Sequence, residues 1–189
     1  METVTEVKKI RRGRVSVTLP AGVFIVPASS SPEKGSSVDP EVLSGQQKSC
    51  ARNDVQLFLA HSERSSGQLR KKVLSLGYSD AVADSTVSWA EQYGFVDDNR
   101  FCTMFIASRT MGLAGFRMEL SKRGVPKAAV ETALASISET DGMQDLIRQV
   151  SKKYGHLENR ETARRRALAW LSRRGFSGET IHRVLEGAL

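Results

Sequence analysis

One local pattern is written three times in this chain, and it restricts the fold more than any other feature. Val73-Leu74-Ser75-Leu76-Gly77-Tyr78-Ser79, Leu120-Ser121-Lys122-Arg123-Gly124-Val125-Pro126 and Leu171-Ser172-Arg173-Arg174-Gly175-Phe176-Ser177 each run from the end of an apolar stripe, through a glycine, to the start of a new helix. The glycines stand 47 and then 51 residues apart. Glycine directly after a helix reads as a stop, because without a Cβ it enters the left-handed conformation that closes the last turn. Recurrence near fifty residues predicts stacked helical units, each with an apolar face that only its neighbour covers. Such arrays present long surfaces, which suits a large partner better than a small substrate.

Helical periodicity runs from about Cys50 to the C-terminus. Val55, Phe58 and Leu59 mark a first helix. Ser65 with Gln68 forms a capping box for a second, striped by Leu69, Val73 and Leu76 and stopped by Gly77. Ser79 caps a third that carries Val82, Ala83, Val87 and Ala90 and stops at Gly94. Asp97 or Asp98 opens a fourth with Phe101, Phe105 and Ile106. Leu113, Phe116 and Leu120 stripe the fifth, which ends at Gly124, and Pro126 suits the first turn of the sixth. Met143, Leu146, Ile147 and Val150 predict a seventh, Ala163, Ala167, Leu168 and Leu171 an eighth stopped by Gly175, and Ile181, Val184 and Leu185 a ninth.

The first 49 residues differ. Val15, Val17 and Leu19 alternate with polar residues, Pro20-Ala21-Gly22 signals a turn, and Val23-Phe24-Ile25-Val26 is a second β-prone run, so a hairpin is expected. Asp39-Pro40-Glu41 reads as a short helical turn. The expected fold is mainly α: tandem three-helix repeats in an elongated curved array behind a small N-terminal β-hairpin. The boundaries read as 1–49 for hairpin and linker, 50–96, 97–155 and 156–189 for the repeats.

Net charge is +7 and the pI about 9.7, which favours a polyanionic partner. The candidate binding residues are Arg70, Lys71 and Lys72 on the second helix, Arg109, Arg117, Lys122 and Arg123 around the fifth, and Arg164, Arg165, Arg166, Arg173 and Arg174 on the eighth. Second, fifth and eighth helices are equivalent, so these cations are expected to form a basic stripe able to meet phosphates or acidic protein.

Chemistry in a pocket is not expected. Asp97-Asp98 is the close carboxylate pair, but it sits where a helix N-terminus needs an acceptor. His61, His156 and His182 lie in different repeats, and Cys50 and Cys102 are far apart, so neither a metal nor a disulfide is expected. A phosphate-cradling loop and a nucleophile motif are both missing from the sequence. Phe95, Phe101, Phe105, Phe116 and Phe176 read as core. The expectation is a protein without cofactor, small-molecule substrate or membrane span, working in the cytoplasm.

Leu171-Ser172-Arg173-Arg174-Gly175-Phe176-Ser177 followed by Ile181, Val184 and Leu185 resembles the C-terminal signature of the bacterial RecX regulatory family. Phe95-Val96-Asp97-Asp98-Asn99-Arg100-Phe101, Arg109, Glu119-Leu120 and Lys122-Arg123-Gly124-Val125 are similar to its central signature, and Ser65, Leu69, Lys72 and Gly77-Tyr78 to its first repeat. The chain departs from the pattern at Ser62, Leu76 and Cys102, and at the entry to the fifth helix, Gly112-Leu113-Ala114-Gly115. The resemblance implies binding to the RecA recombinase and its filament on DNA, with inhibition of strand exchange, ATP hydrolysis and coprotease activity, and so a role in recombination, DNA repair and the SOS response. It also implies Gly77, Asp97, Asp98, Gly124 and Gly175 as structural signature residues. The alternative reading is a sequence-independent DNA-binding helical-repeat protein that acts without RecA.

Overall fold

The computed structural model describes residues 1–11, 13–138 and 142–189. It forms two compact units, Met1–Asp97 and Asp98–Leu189.

In the first unit, β2 (Glu6–Arg11), β3 (Arg14–Leu19) and β4 (Gly22–Pro27) form an antiparallel meander in that order, and β1 (Glu2–Thr3) pairs with β5 (Ser37–Val38). The expected hairpin is β3–β4, with Val15 opposite Val26 and Val17 opposite Phe24. Val15, Val17, Leu19 and Val26 bury their side chains with Val4 and Leu43, which explains the alternation. The additional strand β2 carries Glu6, Lys8, Lys9 and Arg11 and is largely exposed. An edge strand blunted by charge lacks the apolar period that reveals its partners.

Helix α1 spans Pro40–Ala60, so it begins well before Cys50. Asp39 caps it, accepting from the Glu41 amide, and Pro40 occupies the first turn. Its buried face reads Leu43, Gln47, Cys50, Ala51, Val55. The polar Gln47 interrupts the stripe for a reason: its Oε1 accepts from the Ile25 amide of β4 at 2.8 Å, pairing a backbone donor that would otherwise be buried unsatisfied. Helices α2 (Ser66–Ser75) and α3 (Asp80–Gln92) complete the first triplet. The Ser65–Gln68 capping box is fully formed and Ser79 caps α3. Ile25 reaches from β4 into the core of Val55, Leu69, Val73, Val82, Ala83 and Ala90.

The second unit contains two further triplets, α4 (Asp98–Ala107), α5 (Leu113–Lys122) and α6 (Lys127–Leu134), then α7 (Met143–Tyr154), α8 (Arg160–Arg173) and α9 (Gly178–Ala188). Pro126 sits at the N-cap of α6 rather than inside its first turn. In every triplet the third helix packs on the first and the second. Phe101, Phe105, Phe116 and Leu120 centre one core, and Leu146, Val150, Leu171 and Val184 the other.

The three repeated glycines share the left-handed conformation. Gly77, Gly124 and Gly175 have φ of 88°, 71° and 75°. The amides of Gly124 and Val125 return to the carbonyls of Ser121 and Leu120, and those of Gly175 and Phe176 to Ser172 and Leu171, which closes both helix ends in a Schellman motif. Four residues before each glycine, Val73, Leu120 and Leu171 are fully buried. Phe95 departs from expectation. It is half-exposed and leans on Trp89, centroids 5.1 Å apart, because α3 has already ended at Gln92.

Candidate partner interface

The basic residues divide by what their guanidinium and ammonium groups already touch. Arg70 reaches from α2 to Asp80 and Asp84 of α3 at 2.6 and 2.7 Å. Arg117 makes a bidentate pair from α5 to Glu131 of α6, both bonds 3.0 Å. Both arginines stand seven residues before the repeat glycine, and Asp84 and Glu131 seven after it. The equivalent positions of the third repeat hold Leu168 and His182. The Asp84 and Asp80 hydrogen bonds raise the Arg70 pKa, and the Arg117 hydrogen bond lowers that of Glu131. These exposed pairs clip two helices together within a repeat and contribute little stability. On α2, Lys71 is exposed and Lys72 lies 5.9 Å from the Phe58 centroid.

A second group converges within the Asp98–Leu189 unit. Glu119 accepts from Arg123 at 2.6 Å and from Lys122 at 3.2 Å, and those hydrogen bonds hold its carboxyl below the ordinary range. Arg123 and Arg109 both lie on the Phe105 ring, at 4.5 and 4.9 Å. Arg174 stacks on Trp170 at 4.2 Å, with its Nε buried and without a hydrogen-bond partner among the described residues. Arg109, Arg173 and Arg174 line one cleft of about 380 Å³ with Phe105, Ser108, Glu119 and Gln149. Arg109, Arg173 and Arg174 have no carboxylate partner among the described residues.

Backbone contact between two repeats creates this convergence. The Gly112 amide, free at the N-terminus of α5, donates to the Arg174 carbonyl at 3.0 Å. A Cβ on Gly115 would stand 2.9 Å from the Arg174 carbonyl carbon and closer still to its oxygen. One on Gly175 would stand 2.6 Å from the Gly115 Cα, and Gly112 is equally hemmed in by Gly175 and Phe176. Three glycines thus let the end of α8 lie against the start of α5, which carries Arg173 and Arg174 to Arg109. In the sequence, Gly112 and Gly115 stand only as a departure from the family pattern at the entry to the fifth helix. The available signal was two glycines within four residues at a helix start that needs neither for its turn.

Elsewhere on α8, Arg164 is half-buried, Arg165 and Arg166 are exposed, and none has an ion-pair partner among the described residues. Gly77 sits in the first unit with Ile25 Cδ1 3.6 Å from where its Cβ would be. Asp97 immediately precedes α4, and Asp98 lies in its first turn, where negative charge is favourable.

The first unit holds a polar cluster that no motif announced. Asp54 of α1 accepts from Arg11 at 2.5 Å, Arg14 at 2.6 Å and the Tyr78 hydroxyl at 2.7 Å. Arg11 also donates to the Leu76 carbonyl at the end of α2 and lies over the Tyr78 ring. Burial pushes the Asp54 carboxyl up, but the hydrogen bonds from Arg11, Tyr78 and Arg14 outweigh it and lower the pKa. Burial and the same carboxylate raise that of Tyr78. The cluster ties the meander to α1 and α2. Every oxygen and guanidinium in it has a partner, so it is a structural clamp. Among the described residues, His, Cys, Asp and Glu form no group of three able to hold a metal, and no helix is long and apolar enough to cross a membrane.

Residues 139–185 match a family model described as RecX, third three-helix domain. The regulatory protein RecX of Stenotrophomonas maltophilia (strain K279a) is 31% identical over 131 residues, covering 67% of this chain and 80% of that protein. The regulatory protein RecX of Prosthecochloris aestuarii (strain DSM 271 / SK 413) is 31% identical over 137 residues, 70% of this chain and 89% of that one. Two solved structures share the fold. A crystal structure of a regulatory protein RecX aligns over 98% of this chain and 100% of its own with a TM-score of 0.63 at 15% identity. That of RecX from Lactobacillus salivarius covers 74% and 94%, with a TM-score of 0.62 at 18% identity.

Proposed function

The chain belongs to the RecX regulatory family, and from that premise we propose that it is a non-enzymatic regulator that binds the RecA recombinase and its filament on DNA in the cytoplasm, inhibiting ATP hydrolysis, strand exchange and coprotease activity. The observation that carries this reading is the cationic cleft where Arg109, Arg173 and Arg174 meet. It pairs positive charge with stacked, ordered guanidiniums, as a protein-recognition surface requires, and offers no acid–base pair for chemistry. The exposed Arg165 and Arg166 of α8 suit the DNA component of the filament, since phosphate contacts need only accessible cations.

The test is RecA ATPase on single-stranded DNA with substoichiometric amounts of this protein. Inhibition is expected, and the double variant Arg173→Glu/Arg174→Glu should weaken it by about tenfold or more at unchanged helicity. Uninhibited ATPase with the wild-type chain refutes the partner. Full inhibition by the double variant means that the cluster is a solvated surface.

A further inference from the structure

We propose that the arginine cleft of the second unit is a receptor for an acidic peptide segment, whose side-chain carboxylates are gripped by Arg109, Arg173 and Arg174. This deepens the reading above and rests on it, because it assigns the protein component of the partner to one place on the molecule. Three features of the cleft select this occupant.

The first is charge. Glu119 is the cleft's carboxylate, and Arg123 and Lys122 already neutralise it. The three lining arginines therefore present uncompensated positive charge. The second is order. Arg109 is laid on Phe105 and Arg174 on Trp170, so their planar forks are held before any ligand arrives. Guanidinium recognises carboxylate with two parallel bonds, and a fork already immobilised loses less entropy in making them. The third is what the cleft lacks for nucleic acid. Arg109 and Arg123 lie on Phe105, and Arg174 and Lys153 on Trp170. Phe105 is the aromatic ring lining the cleft, and with Arg109 and Arg123 already over it, it is a poor platform for base stacking, which single-strand sites combine with a basic groove. A volume of about 380 Å³ accepts a few side chains, and Gln149 can serve the peptide backbone.

The test is fluorescence anisotropy on the full chain with two labelled probes, a peptide of alternating Glu and Gly and an oligothymidine. The peptide should bind saturably. Arg109→Gln and Arg173→Gln should each weaken it by about tenfold or more, the loss expected for a charge-assisted bond. Arg165→Gln removes the same charge from α8 outside the cleft and should leave peptide affinity within about twofold. Oligothymidine binding should change by less than about twofold in the two cleft variants. Absence of saturable peptide binding, an equal loss in Arg165→Gln, or a parallel loss of oligothymidine binding overturns the proposal, the last by showing a phosphate site. Thermal melting of each variant checks that the cleft is still folded. RecA ATPase is read separately. Inhibition by a chain that ignores the peptide defeats only this inference, whereas absence of inhibition defeats the partner assignment whatever the cleft binds.

Discussion

Gly115→Ala isolates the contact on which the arginine cleft depends. In an open helix this substitution stabilises by about 0.5–1 kcal/mol, because alanine restricts the unfolded chain and favours the helix. Here the new methyl meets backbone, not a side chain that could rotate away: the Arg174 carbonyl carbon lies 2.9 Å off and the oxygen nearer. Relief requires the end of α8 to back away from α5. Overpacking of this kind costs about 1–3 kcal/mol. The same movement stretches the hydrogen bond from the Gly112 amide to the Arg174 carbonyl, and leaving the buried amide unpaired adds about 1–3 kcal/mol. Gly112 is buried, so water does not replace the bond freely. Against the helix gain, the net loss should be about 1–5 kcal/mol. Gly178→Ala is the matched control, since nothing lies within 4 Å of its added Cβ; it should be neutral or slightly stabilising. Urea denaturation followed by circular dichroism measures both. The reasoning also predicts that Gly115→Ala separates the unfolding of the third repeat from that of the second, broadening the transition. If Gly115→Ala is as stable as wild type and unfolds as sharply, the close backbone approach does not exist, and the placement of Arg173 and Arg174 beside Arg109 falls with it.

Asp54→Asn should destabilise the first unit by about 2–3 kcal/mol in urea, less than the roughly 3–5 kcal/mol for breaking a fully buried ion pair, because Arg11 and Arg14 remain 27% and 18% exposed. The same residue sets an acid dependence. Its folded pKa lies below its unfolded one, so its contribution is complete above the unfolded value of about 4 and is lost as pH falls through the lowered folded value; melting against pH should show a shallower acid limb in Asp54→Asn than in wild type. Gln47→Ala should cost about 1–3 kcal/mol by orphaning the Ile25 amide, and hydrogen exchange should show that amide losing protection first. Arg117→Ala, by contrast, should shift stability by less than about 1 kcal/mol in the same denaturation assay, because its Glu131 pair is exposed.

Local chemistry was sufficient to read the helical units of this protein from its residues. Caps at Ser65, Ser79 and Ser177 and stops at Gly77, Gly124 and Gly175 act within one turn of chain. Their identity therefore reveals their role without knowledge of the rest of the molecule. The same holds for β3 and β4, whose alternation records one buried face. The resemblance to RecX rested on those same punctuating residues. Where a residue answers to something distant, its type was misleading or silent. Gln47 breaks an apolar stripe because β4 needs an acceptor, β2 is polar because it is an edge, and Asp54 is an unremarked acid in a charged helix until Arg11, Arg14 and Tyr78 surround it. The basic residues show the division most plainly. Composition makes the chain cationic, but long-range packing engages Arg70 and Arg117 with acids of the next helix and leaves Arg109, Arg173 and Arg174 to face one cleft. A charge is a property of one residue, and its availability is a property of its neighbours, which only the folded backbone brings together.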